Sequence, residues 1–227
     1  METAINEKEV LRYLGYRGCA ADGRVSSLIA ELIGLFTADV IPKSVYGIWD
    51  CQIDSSTAAF GGMSVKSENL CEHLKDCRRA VLLAATLGTR ADTLLRRFSV
   101  QDMEKAVIAQ AVCAAMIEAY CDGIEGEILQ KMELSGLYKT PRFSPGYGDF
   151  DISYQKDILK ILNCSRIGLA LTDGYMLIPS KSVTAVIGFS KEKNQAPEKC
   201  ERCGTPCALS SSPKLHKNSA PLRLCVI

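Results

Sequence analysis

The sequence predicts an α/β chain of the α+β kind, with one helix-rich domain around a mixed or antiparallel twisted sheet. Three observations carry that expectation. Apolar residues recur at helical spacing through 25–36 and again through 107–132. The run Ala80 to Thr86 has the length and flanks of a central strand, and 175–189 alternates apolar with polar residues. Of 227 residues 47% are hydrophobic, enough for a substantial core without disulfides or metal.

Taken in order, Asn6 caps a first helix with Glu9 at its third position, Val10, Leu11 and Leu14 as its apolar side, and Gly15 as its stop. The next helix places Val25, Leu28, Ile29, Leu32, Ile33 and Phe36 on one side, with Arg24 and Glu31 on its polar side. Ser44 to Ile53 reads as extended despite Gly47. Ser67 opens a helix through Lys75, and the strand 80–86 ends before Gly88. Thr89 with Asp92, and Ser99 with Asp102, have capping-box spacing, which predicts two helices after the strand. The second of them spans 100–121, and a further helical pattern follows Asp122 and Gly123.

The segment TPRFSPGYGDF, 140–150, changes character, because its prolines and glycines suppress a regular element and predict an ordered loop. A helix over 153–162 and strands over 175–189, separated by a turn at Pro179 to Lys181, complete a domain of residues 1–190. From Lys191 to Ile227 the chain is rich in Lys, Ser and Pro, which predicts a flexible cysteine-containing tail.

Charge and cysteine usage narrow the function classes. Lys and Arg total 27 against 26 Asp and Glu, so the net charge of +1 supplies no general attraction for nucleic acid or anionic lipid. The start METAINEKEV has no hydrophobic signal segment, and the longest low-charge run, 106–117, is too short to span a bilayer. An odd number of cysteines, 11, cannot all pair internally, which favours a reduced, cytoplasmic setting. Neither GxGxxG nor GxxxxGK[ST] occurs, so dinucleotide and P-loop sites are not expected.

Several residues stand out chemically. Glu118 shares a helix face with Val107, Ala111 and Ala114, where a carboxylate needs a cation, a hydrogen-bonding partner or an open helix end. Arg142 presents a planar fork suited to a carboxylate, either a ligand's or an acidic neighbour's, on a loop whose glycines expose backbone donors and acceptors. Tyr147 shapes that rim or fills a gap, and Ser182 either meets a ligand or caps local backbone. Cys200, Cys203 and Cys207 in CERCGTPC have a spacing that could hold zinc or an iron-sulfur cluster, with Cys225 a distant fourth, or they belong to a thiol-rich tail without metal. Cys19, Cys51, Cys71, Cys77, Cys113, Cys121 and Cys164 read as structural thiols, and His73 and His216 as ordinary surface or structural histidines.

RFSPGYGDF at 142–150 resembles the Arg-x-x-Pro-Gly-Tyr signature of the activation domain of vitamin B12-dependent methionine synthase. EVLRYLGYRG at 9–18, TLG at 86–88, the helix bearing Glu118 and MLIPSKSVTAVIGFS at 176–190 are similar to successive parts of that family. The resemblance implies a free-standing form that binds S-adenosylmethionine and supports reductive methylation of cobalamin or a related corrinoid held by a separate methyltransferase or corrinoid protein. Carried over residue by residue, it implies that Arg142 receives the methionyl carboxylate and Glu118 the amino or ribose side. Backbone around Ser144 would place adenine, and Tyr147 and Ser182 would border the pocket. An aromatic expected a few positions after Ser182 is replaced by Val186, Ile187 and Gly188.

The chain would then be an accessory component of cobalamin-dependent methyl transfer rather than a complete methionine synthase, with a flavodoxin-like electron donor as a compatible partner. Two alternatives belong to other classes: an iron-sulfur or thiol redox protein that reduces a corrinoid partner, and a non-catalytic scaffold or regulator.

Overall fold

Ala80 to Ala85 leave no polar side chain for water, and the strand they occupy, β5 (Arg79–Thr86), is paired on both edges. The computed structural model describes residues 5–16, 21–131 and 137–191. β1 (Lys43–Asp50) pairs antiparallel with one edge of β5, and β9 (Ser182–Ser190) pairs antiparallel with the other. Outside β9 lies the short β6 (Tyr138–Lys139), giving the order β1-β5-β9-β6, antiparallel throughout. Gly47 sits inside β1 because the Trp49 ring covers it; a Cβ there would lie 2.1 Å from that ring.

Strand alternation divides the interior into two cores. Val81, Leu83, Ala85, Ile187 and Phe189 face one layer, made of α1 (Glu7–Tyr13), α2 (Gly23–Asp39), α4 (Thr89–Gln101) and α5 (Met103–Lys131). Ala80, Leu82, Ala84 and Val186 face the other. That second layer holds a three-stranded sheet of β2 (Gln52–Ile53), β3 (Thr57–Phe60) and β4 (Met63–Lys66), together with α3 (Glu68–His73) and α6 (Gln155–Ile161). The small hairpin of β7 (Ala170–Leu171) and β8 (Leu177–Ile178) precedes β9. Leu82 and Leu83 are fully buried on opposite faces, each burial contributing roughly 1.5 to 3 kcal/mol. The polar side of α2 is fastened to α5 by Arg24 with Glu104 at 2.5 Å and Glu31 with Lys105 at 2.6 Å.

The helices after β5 differ from the expectation in two respects. Neither capping box forms. Thr89 is already inside α4 behind Gly88, and Asp92 instead accepts from Ser180 N at 2.9 Å and Ser180 Oγ at 2.6 Å. Ser99 lies within α4, and Asp102 itself caps α5 by accepting from Lys105 N at 3.1 Å. α5 also runs unbroken through Asp122 and Gly123 to Lys131. Gly123 and Gly126 each weaken a helix by roughly 1 kcal/mol, but Ile124 and Ile128 bury against the first core and hold the rod together. Residues 103–130 are long and apolar enough to cross a membrane by length and composition, yet 61% of the most apolar window is buried inside the protein. The interior accounts for that composition.

Candidate functional site

The segment 138–143 runs along the free edge of β9, and its register changes on the way. Tyr138 faces Ser190 and Lys139 faces Phe189, but Phe143 bridges Val186 rather than Ala185. One extra residue therefore lies on the edge chain, at Pro141–Arg142, where proline has no N–H to give the ladder. The bulge decides which way the side chains point. Without it Lys139 and Arg142, three residues apart, would emerge on opposite faces. With it both reach α5 on the helix side, while Phe143 packs into the second core.

Opposite them, Glu118, Asp122 and Glu125 stand on one face of α5 at successive-turn spacing. Arg142 donates from Nη2 to Glu118 at 2.5 Å and from Nη1 to Asp122 at 2.8 Å, and also bonds Glu125, which Lys139 shares. The guanidinium is 11% exposed and Glu125 3%, whereas Glu118 is 37% and Asp122 68% exposed. Burial pushes the Arg142 pKa down, but Glu118 and Glu125, then Asp122, more than offset it, so the net shift is upward. α1 borders the cluster, since the Tyr13 phenol is raised first by burial and then by the charge of Glu118.

The loop beyond Arg142 is a compact turn. Tyr147 N donates to the Ser144 carbonyl at 3.1 Å and Gly146 N to the Phe150 carbonyl at 2.7 Å. Gly146 and Gly148 take φ values of +95° and +55°, which favour glycine, and a Cβ on Gly148 would lie 2.9 Å from Asn69. Ser144 is half-buried, Tyr147 is exposed, and the Phe143 ring lies 6.2 Å from Tyr147.

Ser182 lies elsewhere. It is four residues from Val186, so roughly 13 Å along β9 from the level of Phe143. Gly88 N donates to Thr86 Oγ1, and the Thr86 and Ser182 hydroxyls bond each other at 2.7 Å. Ser182 donates onward to the Pro179 carbonyl at 2.6 Å. The departure at 186–188 also has a packing reason. Val186 and Ile187 are fully buried in opposite cores, and a Cβ on Gly188 would lie 2.5 Å from Cys77 Sγ.

The structure thus brings Arg142 and Glu118 together with Ser144 and Tyr147 on the adjoining turn, and it adds Asp122, Glu125 and Lys139. The spacing 118, 122, 125 carried that signal in the sequence; the bulge that aligns Lys139 had none. His73 also joins the site, with its Nε2 2.8 Å from the Pro141 carbonyl.

Burial raises the pKa of every described thiol, Cys71 included. Burial pushes Cys77, Cys113 and Cys121 up to about 12 and Cys51 and Cys164 to about 11, so each stays protonated. Among the described residues no group of His, Cys, Asp and Glu could hold a metal ion. Cys200, Cys203, Cys207 and Cys225, with Cys19 and His216, lie outside the described residues.

Residues 74–196, just over half of the chain, match the family described as vitamin B12 dependent methionine synthase, activation domain. Among solved structures, the chain is similar to one described as the crystal structure of the MetH reactivation domain bound to AdoHcy. That likeness has a TM-score of 0.57 at 14% identity and covers 80% of this chain and 75% of that one. At such identity the likeness is one of fold. No curated protein matches.

Proposed function

The chain belongs to the vitamin B12 dependent methionine synthase activation domain family, and from that membership we propose that it is an S-adenosylmethionine-binding module supporting reactivation of a separate protein-bound corrinoid. In this reading it is a free-standing cytoplasmic accessory to a cobalamin-binding methyltransferase or corrinoid protein, served by a flavodoxin-like electron donor.

The observation that carries the reading is the Arg142 cluster on the Arg-x-x-Pro-Gly-Tyr loop. Lys139 and Arg142 bear two positive charges against three carboxylates, which leaves one negative charge in excess. S-adenosylmethionine has the complementary balance, with an ammonium and a sulfonium against one carboxylate. The carboxylate partners of Arg142 also differ in how easily they yield. Glu125 is buried and shared with Lys139, while Glu118 and Asp122 reach solvent. A ligand carboxylate can take a place on Arg142 while Glu125 keeps the guanidinium from turning, and a released Glu118 then meets the ligand's amino or ribose side. Backbone at Ser144 and the exposed Tyr147 ring lie along the same loop to receive adenine.

When bound, S-adenosylmethionine would supply a methyl group already activated on sulfur, leaving S-adenosylhomocysteine, and the partner's corrinoid, given one electron by the donor, would supply the cobalt that accepts it. The residues of this chain have only to bind, orient and exclude water, so no acid–base triad is required. The buried Val186 and Ile187 and the space-limited Gly188, where the family's aromatic contact is missing, favour a second reading, a non-catalytic scaffold or regulator that keeps the fold without productive S-adenosylmethionine binding.

Anaerobic titration with S-adenosylmethionine, with and without a purified cobalamin-bearing methyltransferase and with a low-potential one-electron reductant present throughout, tests both. Saturable binding and methylcobalt absorbance are expected for the first reading. Absence of binding overturns the first reading and selects the scaffold, and binding without methylcobalt selects a regulator.

A further inference from the structure

Arg142 sits on a bulge, and a bulge is a place where the ladder no longer dictates geometry. Two groups hold it: the Thr140 hydroxyl, which accepts from Gly188 N at 2.9 Å and donates to the Pro141 carbonyl at 3.2 Å, and α3 on the side of the second core. At the C-terminal end of α3, His73 places Nε2 2.8 Å from the Pro141 carbonyl. A carbonyl only accepts, so that nitrogen carries the proton. The imidazole is buried and lies 4.9 Å from the Phe143 ring, which stacks at 8° on Phe150. At the N-terminal end of α3, Asp149 accepts from Ser67 Oγ at 2.5 Å, Glu68 N at 2.7 Å and Asn69 N at 3.2 Å. The loop 141–149 is therefore strapped across α3 at both ends. α3 is itself anchored, with Leu70 and Cys71 buried in the second core.

We infer that His73 is a positioning residue for Arg142, acting through the Pro141 carbonyl and the Phe143 ring on the two residues that flank it. The inference rests on the proposed S-adenosylmethionine site only for its effect on binding. Its geometric content is that the imidazole, from the opposite side of the sheet edge, fixes the peptide from which Arg142 reaches α5. Loss of one neutral hydrogen bond of this kind corresponds to roughly a three- to tenfold loss of affinity.

The first readout needs no ligand. In isotope-labelled protein the Arg142 side-chain Nε–H resonance, assigned by its loss in Arg142→Lys, reports the guanidinium's surroundings. His73→Phe keeps a ring and removes the donor, and is expected to shift and weaken that resonance while leaving Arg97, whose Nε donates to Gln101 on α4, unmoved. His73→Gln, whose amide can reach Pro141, is expected to restore it. If His73→Phe does not fold, His73→Asn, too short to reach the carbonyl, takes its place.

The second readout is S-adenosylmethionine affinity. A three- to tenfold loss in His73→Phe, recovery in His73→Gln, and no further loss when His73→Phe is added to Arg142→Ala are expected. An unchanged Arg142 resonance in a folded donor-less variant overturns the inference, as does an additive loss in the Arg142→Ala background. A resonance that responds in a protein that never binds S-adenosylmethionine sinks the proposed function and leaves the positioning role standing.

Discussion

At the start of β9 the hydroxyls of Ser182 and Thr86 lie in a chain between the Gly88 amide and the Pro179 carbonyl, each bond made within the fold. Further along the same strand, on its free edge, Arg142 is shared among carboxylates whose exposure runs from 3% to 68%. Both sets are polar, and both are bonded. The difference is exchangeability. A hydroxyl chain closed on backbone has no donor left for a ligand without breaking a bond the fold uses, whereas an arginine with one buried and two more exposed acids can trade partners and keep its place.

That contrast can be sharpened or broken by substitution. The largest effect is expected at Glu125, since Glu125→Ala removes the buried acid shared by Arg142 and Lys139 and should cost about 3 kcal/mol in chemical denaturation. Glu118→Ala should cost less than about 1 kcal/mol by the same measure, because its carboxylate is partly exposed. Comparable losses at the two positions would erase the division between fixed and exchangeable acids. Arg142→Ala should weaken S-adenosylmethionine binding by roughly 1.5 to 3 kcal/mol in calorimetry and, because it leaves the buried Glu125 with Lys139 alone, also lower stability by up to about 3 kcal/mol; equal affinity in the folded variant would reject its assignment.

Ser182→Ala should lower stability by about 1 kcal/mol and leave affinity unchanged; a drop in affinity would show that this hydroxyl also serves the ligand. The smallest effect concerns pH. Asp149 loses some of its acidity to desolvation, but bonds from Ser67, Asn69 and the Glu68 and Asn69 amides hold its pKa below the usual 3.8. Because the folded value is depressed, its tether is fully present above 3.8 and is lost as pH falls through the lower folded value. Hydrogen exchange at Glu68 and Asn69 should therefore stay slow through the ordinary carboxylate range and quicken only beneath it. Quickening near an ordinary carboxylate pKa would mean that the strap at that end of α3 carries little.

Much of the fold was legible because its signals are local. The apolar run at 80–85, the helical spacing of Val25 to Phe36 and the Asn6 cap each appear where the sequence puts them. The Thr89–Asp92 box misled because Ser180, which is 88 residues away, claims Asp92, and the Ser99–Asp102 box because α4 runs past Ser99 and leaves Asp102 to cap α5. α5 ran on past Gly123 because tertiary burial of Ile124 and Ile128 outweighs a glycine's entropy. At the site, Glu118 and Arg142 were visible as single residues, and the pairing between them was one of two alternatives the residue types allowed.

The sequence by itself determined the antiparallel-compatible α+β pattern, the Pro-Gly loop and, through 142–150, the family, since periodicity, turn chemistry and motif are written within a few residues. Only the tertiary structure decided that Lys139 and Arg142 share a face, that the His73 imidazole bonds the Pro141 carbonyl, and that Glu125 is buried while Glu118 and Asp122 reach solvent. Those properties depend on the register of 138–143 against β9, a partner 43 to 52 residues away, and on how deeply α5 sinks onto the sheet. Neither is encoded in any short stretch of chain.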